Sequence, residues 1–100
     1  MKETLQPGVS FTTKALIEKD KTIGFMGEDL RVYATPFMVQ DTERSCRNFM
    51  LEHLEDGEDT VGSRVEIDHL GPTLVGQTIE IEGKVTEVEG PRVLFEVEIR

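Results

Sequence analysis

Glu43 and His69 are the two ionisable groups that break the pattern of their own segments, and both have proton chemistry to offer. Glu43 lies four residues after Val39, three before Cys46 and seven before Met50. A helix through it therefore sets an acid among apolar neighbours. Desolvation favours the neutral form of a carboxylic acid and raises its pKa, which suits a group exchanging protons near neutral pH. The alternative is a helix turned so that the carboxylate reaches solvent or pairs with an arginine. His69 continues the alternating set Val61, Ser63, Val65 and Ile67. There an imidazole is either a satisfied core group or a proton carrier. Thr35 stands directly before Pro36, a pairing that starts helices: the hydroxyl accepts from a first-turn N–H and proline fills a site that needs no donor. A threonine hydroxyl becomes a nucleophile only where a base activates it. Cys46 reads as core, since nothing basic in the sequence lowers its pKa. His53 falls near the helix end, sixteen residues from His69, and the two make no metal-ligand spacing.

Three zones must position these groups. In "VSFTTKALIE", Val9, Phe11, Thr13, Ala15 and Ile17 alternate with mostly polar neighbours, the signature of a half-buried strand. Residues 19 to 33, "KDKTIGFMGEDLRVY", carry Gly24, Gly27 and the apolar pair Phe25 and Met26 without a sustained period. That reads as a loop, either a packed connection or a cover over a pocket. From Thr35 to a stop at Gly57 the spacing predicts one helix, with Val39, Thr42, Cys46, Phe49, Met50 and His53 on one stripe and Gln40, Arg44, Arg47, Asn48 and Glu52 opposite. Residues 61 to 100 read as three strands: "VGSRVEIDH", "TIEIEGKVTEV" with Ile79, Ile81 and Val85 inward, and "RVLFEVEIR" with Val93, Phe95, Val97 and Ile99 inward. Glu89-Gly90-Pro91 supplies a hairpin turn. One long helix with antiparallel strands, each polar on one face, is an α+β domain in which a sheet wraps the helix.

At 100 residues the chain supports one core, so a single domain over 1–100 is expected. A net charge of −9 with scattered basic residues argues against nucleic acid as a partner, because phosphate backbones require clustered cations. The sequence has one cysteine and no apolar run of membrane-span or signal-peptide type. A soluble, cytoplasmic protein with no membrane partner is the expectation.

From Val32 to Val97 the chain resembles the fluoroacetyl-CoA thioesterase-like branch of the hot-dog superfamily. The segments that carry the resemblance are "VYATPFMVQDTERSC", "EDGEDTVGSRVEIDHLGPTLVGQTIEIEGKVTEVEG" and "RVLFEVEI". Glu43 follows Thr35 by eight residues, His69 follows Glu43 by twenty-six, and Gly62 stands seven before His69, all at the family's spacing. The resemblance implies the hot-dog fold, a homodimer with active sites between subunits, and hydrolysis of a short-chain acyl-CoA thioester. No cofactor is implied, since coenzyme A belongs to the substrate. Carried over residue by residue, Thr35, Glu43 and His69 become catalytic. Gly62, Pro36 and Phe37 become substrate-binding, with N–H groups beyond Pro36 as candidates to stabilise an oxyanion.

Three features depart from the family pattern. "GPTLVG" changes the loop after the histidine, and Asp41 and Thr42 make the surroundings of Glu43 more polar than in relatives. The family continues past "F.V.I" into a further strand, so that C-terminal strand is expected to be missing from a chain ending at Arg100. A non-catalytic dimeric protein that binds acyl-CoA or another small ligand is the alternative reading. A hot-dog dehydratase or hydratase is disfavoured by the order Thr35, Glu43, His69.

Overall fold

A computed structural model describes residues 1–69 and 71–100. In chain order its elements are β1 (Ser10–Leu16), β2 (Thr22–Ile23), β3 (Val32–Tyr33), α1 (Thr35–Leu51), β4 (Thr78–Glu89) and β5 (Arg92–Ile99). β1, β4 and β5 form an antiparallel sheet with β4 at its centre, and β2 pairs with β3. β4 and β5 alternate as their sequences predict, and β1 does so only in part. Ile79, Ile81 and Val85 of β4 are buried, and Val93, Phe95, Val97 and Ile99 of β5 are half-buried with charged or exposed residues between them. A two-residue turn joins the two strands, with Gly90 at φ +58°, a left-handed conformation that glycine adopts without steric cost. The register shifts between Val85 and Glu87, so Thr86 forms a bulge in the longer strand. In β1 the inward set is Phe11 and Ala15, with Ile17 fully buried just beyond; Thr13 is exposed.

Two apolar clusters sit between sheet and helix. One comprises Ile17, Tyr33, Met38, Ile79 and Ile81; the other comprises Leu5, Met50, Leu54 and Val85. Phe11 bridges them, with ring centroids 5.2 Å from Phe49 and 6.1 Å from Phe95. Its position requires a glycine beneath it. A Cβ on Gly83 would lie 2.3 Å from Phe11 Cε1, well inside contact distance.

Three expectations are corrected. The helix ends at Leu51, ahead of Gly57: Glu52 and His53 tighten onto the carbonyls of Phe49 and Met50 at 3.2 and 2.8 Å, and Leu54 turns into the core. The Lys2 N–H then takes the His53 carbonyl at 2.7 Å, and the His53 ring shares a 2.7 Å hydrogen bond with the Thr4 hydroxyl. Residues 19 to 33 are more ordered than a loop, since β2 and β3 pair Thr22 with Tyr33 and Ile23 with Val32; Phe25 and Met26 remain exposed. Residues 61–69 form no strand, and every side chain of the segment is exposed. An alternating pattern becomes a strand only against a neighbouring edge, and residues 61–69 pair with no strand of the β1-β4-β5 sheet.

Gly83→Ala is expected to lower the melting temperature, at a cost of about 1–3 kcal/mol for overpacking; thermal denaturation matching the wild type would show that Phe11 can move aside freely. Burial pushes the Cys46 thiol up to about 11, so at pH 8 the thiolate is scarce. Alkylation by iodoacetamide, followed by mass spectrometry, is therefore expected to speed up roughly a hundredfold when urea unfolds the chain and restores an ordinary thiol. Equal rates in both states would contradict it.

Candidate active site

α1 begins at Thr35, but its N-cap is Ala34, which has no side-chain oxygen to donate to the task. The expected capping role of Thr35 is thereby corrected. Its hydroxyl lies one residue too far into the helix and is free for another partner, which is His69: Thr35 Oγ1 and His69 Nδ1 share a hydrogen bond of 2.7 Å. With the imidazole proton on Nε2, the hydroxyl donates to Nδ1, the direction in which an imidazole acts as a base towards an alcohol.

Glu43 lies on the exposed flank of the helix, so the expected burial among apolar residues is corrected. The stripe that faces the sheet runs through Met38, Asp41 and Met50, and Glu43 falls beside it. One of its oxygens is nevertheless held, with Glu43 Oε1 accepting from the Gly62 N–H at 3.1 Å. The lack of a side chain at 62 permits this approach. A Cβ there would lie 2.9 Å from Glu43 Oε1 and 3.1 Å from its Cδ.

These contacts belong to one arrangement. The segment after α1 runs back along the helix, with Arg47 and Asp59 paired at 3.1 Å, then Glu43 with Gly62, then Thr35 with His69. Thr35 and Glu43 are separated by eight residues, or about 12 Å of helix rise. Both contact pairs lie along this exposed flank. Pro36 is exposed and Phe37 is half-buried, packed against the cluster around Tyr33 and Met38. The N–H groups of Phe37 and Met38 both donate to the Ala34 carbonyl, at 3.0 and 3.1 Å. That occupies the amides expected to be open beyond Pro36. The exposed apolar loop between β2 and β3 is bracketed by charge: Glu28 lies 2.7 Å from Arg31 and 3.4 Å from Lys19. The Lys19 hydrogen bond, with Arg31 in support, holds the Glu28 carboxyl below the usual carboxylate range.

The acid that does face the core is Asp41, 5% exposed. Lys21 Nζ lies 2.9 Å from its Oδ1, and the Tyr33 hydroxyl donates to its Oδ2 at 2.5 Å. Burial, then the hydrogen bond to Asp41 and its charge, push the Tyr33 phenol far above its ordinary value and keep it a donor. Sequence reasoning treated Asp41 as a polar neighbour of Glu43. The missed signal is its spacing, three residues after Met38 and four after Phe37, which is the core stripe itself.

The family profile of fluoroacetyl-CoA-specific thioesterases (FlK) matches residues 17–100. The fluoroacetyl-CoA thioesterase of Streptantibioticus cattleyicolor is 30% identical over 104 aligned positions, covering 97% of this chain and 75% of its own. A mutant of FlK solved with fluoroacetate and CoA superposes with a TM-score of 0.86 at 28% identity, over 96% of this chain and 82% of that one. A Thermus thermophilus hypothetical protein of the thioesterase superfamily gives a TM-score of 0.83 at 32% identity, over 94% and 70%. This chain belongs to the fluoroacetyl-CoA-specific thioesterase family and has its hot-dog fold.

Proposed function

We propose that this chain hydrolyses short-chain acyl-CoA thioesters, with Thr35, Glu43 and His69 as the reacting groups. The observation that carries this reading is the 2.7 Å hydrogen bond between Thr35 Oγ1 and His69 Nδ1, on the helix that also holds Glu43 against the Gly62 N–H. Two routes use these groups. In one, Glu43 takes a proton from a water molecule, which adds to the thioester carbonyl. In the other, His69 takes the Thr35 proton and the threonine oxygen adds, leaving an acyl ester that water hydrolyses afterwards. In both, the tetrahedral oxyanion collapses, the C–S bond breaks, and the departing sulfur leaves as the CoA thiol by taking the proton held by Glu43 in the first route or by His69 in the second. Gly62 and Pro36 border the path of the acyl group. Coenzyme A enters as part of the substrate and no resident cofactor is required.

The active form in this reading is a homodimer. Supporting it, Val61, Val65 and Ile67 stand exposed on the segment that carries His69, where a second copy would bury them. Supporting it too, the site lies open along the flank of one chain. A cytoplasmic setting suits a chain with a free cysteine and, among the described residues, no helix long and apolar enough to cross a membrane.

Thiol release from acetyl-CoA is expected to fall by at least about a hundredfold in kcat/KM in Thr35→Ala, Glu43→Ala and His69→Ala. Far-ultraviolet circular dichroism should stay unchanged. Wild-type rates in the three folded variants would overturn the assignment, and calorimetric binding of acetyl-CoA without thiol release would replace a hydrolase by a binding protein. Gly62→Ala drives a methyl into Glu43 and should lose activity without loss of fold. Sedimentation equilibrium should return twice the 11.3 kDa chain mass; a monomer at assay concentration would exclude the dimer.

A further inference from the structure

The buried Lys21–Asp41–Tyr33 cluster has a place in the fold that bears on the reaction. Tyr33 immediately precedes Ala34, and Ala34 precedes Thr35. The Tyr33 backbone N–H donates to the Thr73 carbonyl at 2.7 Å and Val75 N–H to the Arg31 carbonyl at 3.1 Å. Strand β3 therefore grips the chain four residues beyond His69. The Ala34 N–H donates to the Lys21 carbonyl at 3.0 Å, so the same lysine whose ammonium meets Asp41 also holds the residue before Thr35. The Tyr33 hydroxyl closes the set, donating to Asp41 at 2.5 Å and lying 3.3 Å from the Phe37 carbonyl.

From these contacts we infer that Asp41, acting through Lys21 and Tyr33, is a positioning residue that sets the alignment of Thr35 with His69. The inference rests on the reading of those two as reacting groups. The physical argument is one of converging constraints. Residues 61–69 make no strand ladder, so His69 is located by its bond to Thr35 and by the anchorage on either side of it. Gly62 is tied to Glu43 on one side, and Thr73 is tied to Tyr33 on the other. Both partners of the 2.7 Å bond are thus referred to Tyr33, one through the chain and one through a backbone hydrogen bond. Tyr33 is in turn referred to α1 by Asp41. A misplacement of about 1 Å at such a pair is enough to cost roughly a hundredfold in rate, so even partial slackening should be readable in kcat. Asp41 touches neither Thr35 nor His69 in any hydrogen bond; its effect is transmitted.

The test uses the full chain with Tyr33→Phe, Asp41→Asn, Lys21→Met and Lys21→Arg, beside wild type and Thr35→Ala. Tyr33→Phe removes one oxygen and keeps the ring, so it remains informative should Asp41→Asn fail to fold. Two quantities are measured: kcat and KM for thiol release from acetyl-CoA, and the nitrogen-15 resonance of His69 Nδ1. Expected are a kcat lowered about tenfold with KM within about twofold in Tyr33→Phe, Asp41→Asn and Lys21→Met, restored in Lys21→Arg. The Nδ1 resonance should move towards its position in Thr35→Ala. A kcat equal to wild type with an unmoved resonance overturns the inference, as does a loss confined to melting temperature. A wild-type chain that releases no thiol would count against the proposed reaction instead, and the resonance, which needs no turnover, would still decide the positioning role.

Discussion

A carboxylate that enters a protein interior must find donors for both of its oxygens, or cost several kcal/mol. Asp41 meets that condition with one ammonium and one phenol, and much of the arrangement around the helix entry follows from it. Lys21 comes from the short turn ahead of β2 and Tyr33 from β3, so polar contacts add to the apolar packing of Tyr33 against Met38 in drawing these two pieces of chain against α1. A domain whose whole stability is on the order of 5–15 kcal/mol does not carry such a pair without it shaping the fold. Removing one partner would leave the other buried with an unmet charge or hydrogen bond. The β2–β3 pair, four residues in all, would then be tied to the helix chiefly by the packing of Tyr33 against Met38.

The larger sheet solves a different problem. Its central strand offers only one side chain in two to the helix, and the two apolar clusters it covers would be separate without an element spanning them. The Phe11, Phe49 and Phe95 rings supply that continuity, meeting at tilted and edge-to-face angles that aromatic quadrupoles favour. Gly83 is the concession the strand makes to admit the first of these rings. A small core becomes contiguous by giving up one side chain.

Periodicity made the sheet legible, because β4 and β5 each keep one polar face and the Gly90-Pro91 turn is a local signal. It made the helix legible at its start and misjudged its end, where the N-terminal segment binds the His53 carbonyl, a contact fifty-one residues distant in sequence with no local signature. The stretch 61–69 carries strand-like alternation without a strand, since alternation records a preference for pairing and cannot supply the partner. At the candidate site the spacing singled out Thr35, Glu43, Gly62 and His69 without saying which would meet: Thr35 contacts His69 and Glu43 contacts Gly62. The environment of each was read less well. Glu43 is exposed where burial was expected and Thr35 spares the cap, because a shift of one or two positions around a helix exchanges the core stripe for its flank. Asp41 shows the same error from the other side.

The start of α1 has one more property. Ala34 provides no side-chain oxygen to cap the first turn, and no acidic residue lies in that turn. The aligned peptide dipoles of a helix leave the equivalent of about half a positive charge at such an end, and the first turn itself holds no carboxylate to neutralise it. Thr35 stands at that end with its hydroxyl turned to His69. A negative charge developing on an oxygen beside Thr35 is therefore met by the field of the whole helix, within a protein whose net charge of −9 otherwise repels anions. The missing cap leaves the helix dipole at this entry uncompensated by any side chain of the first turn.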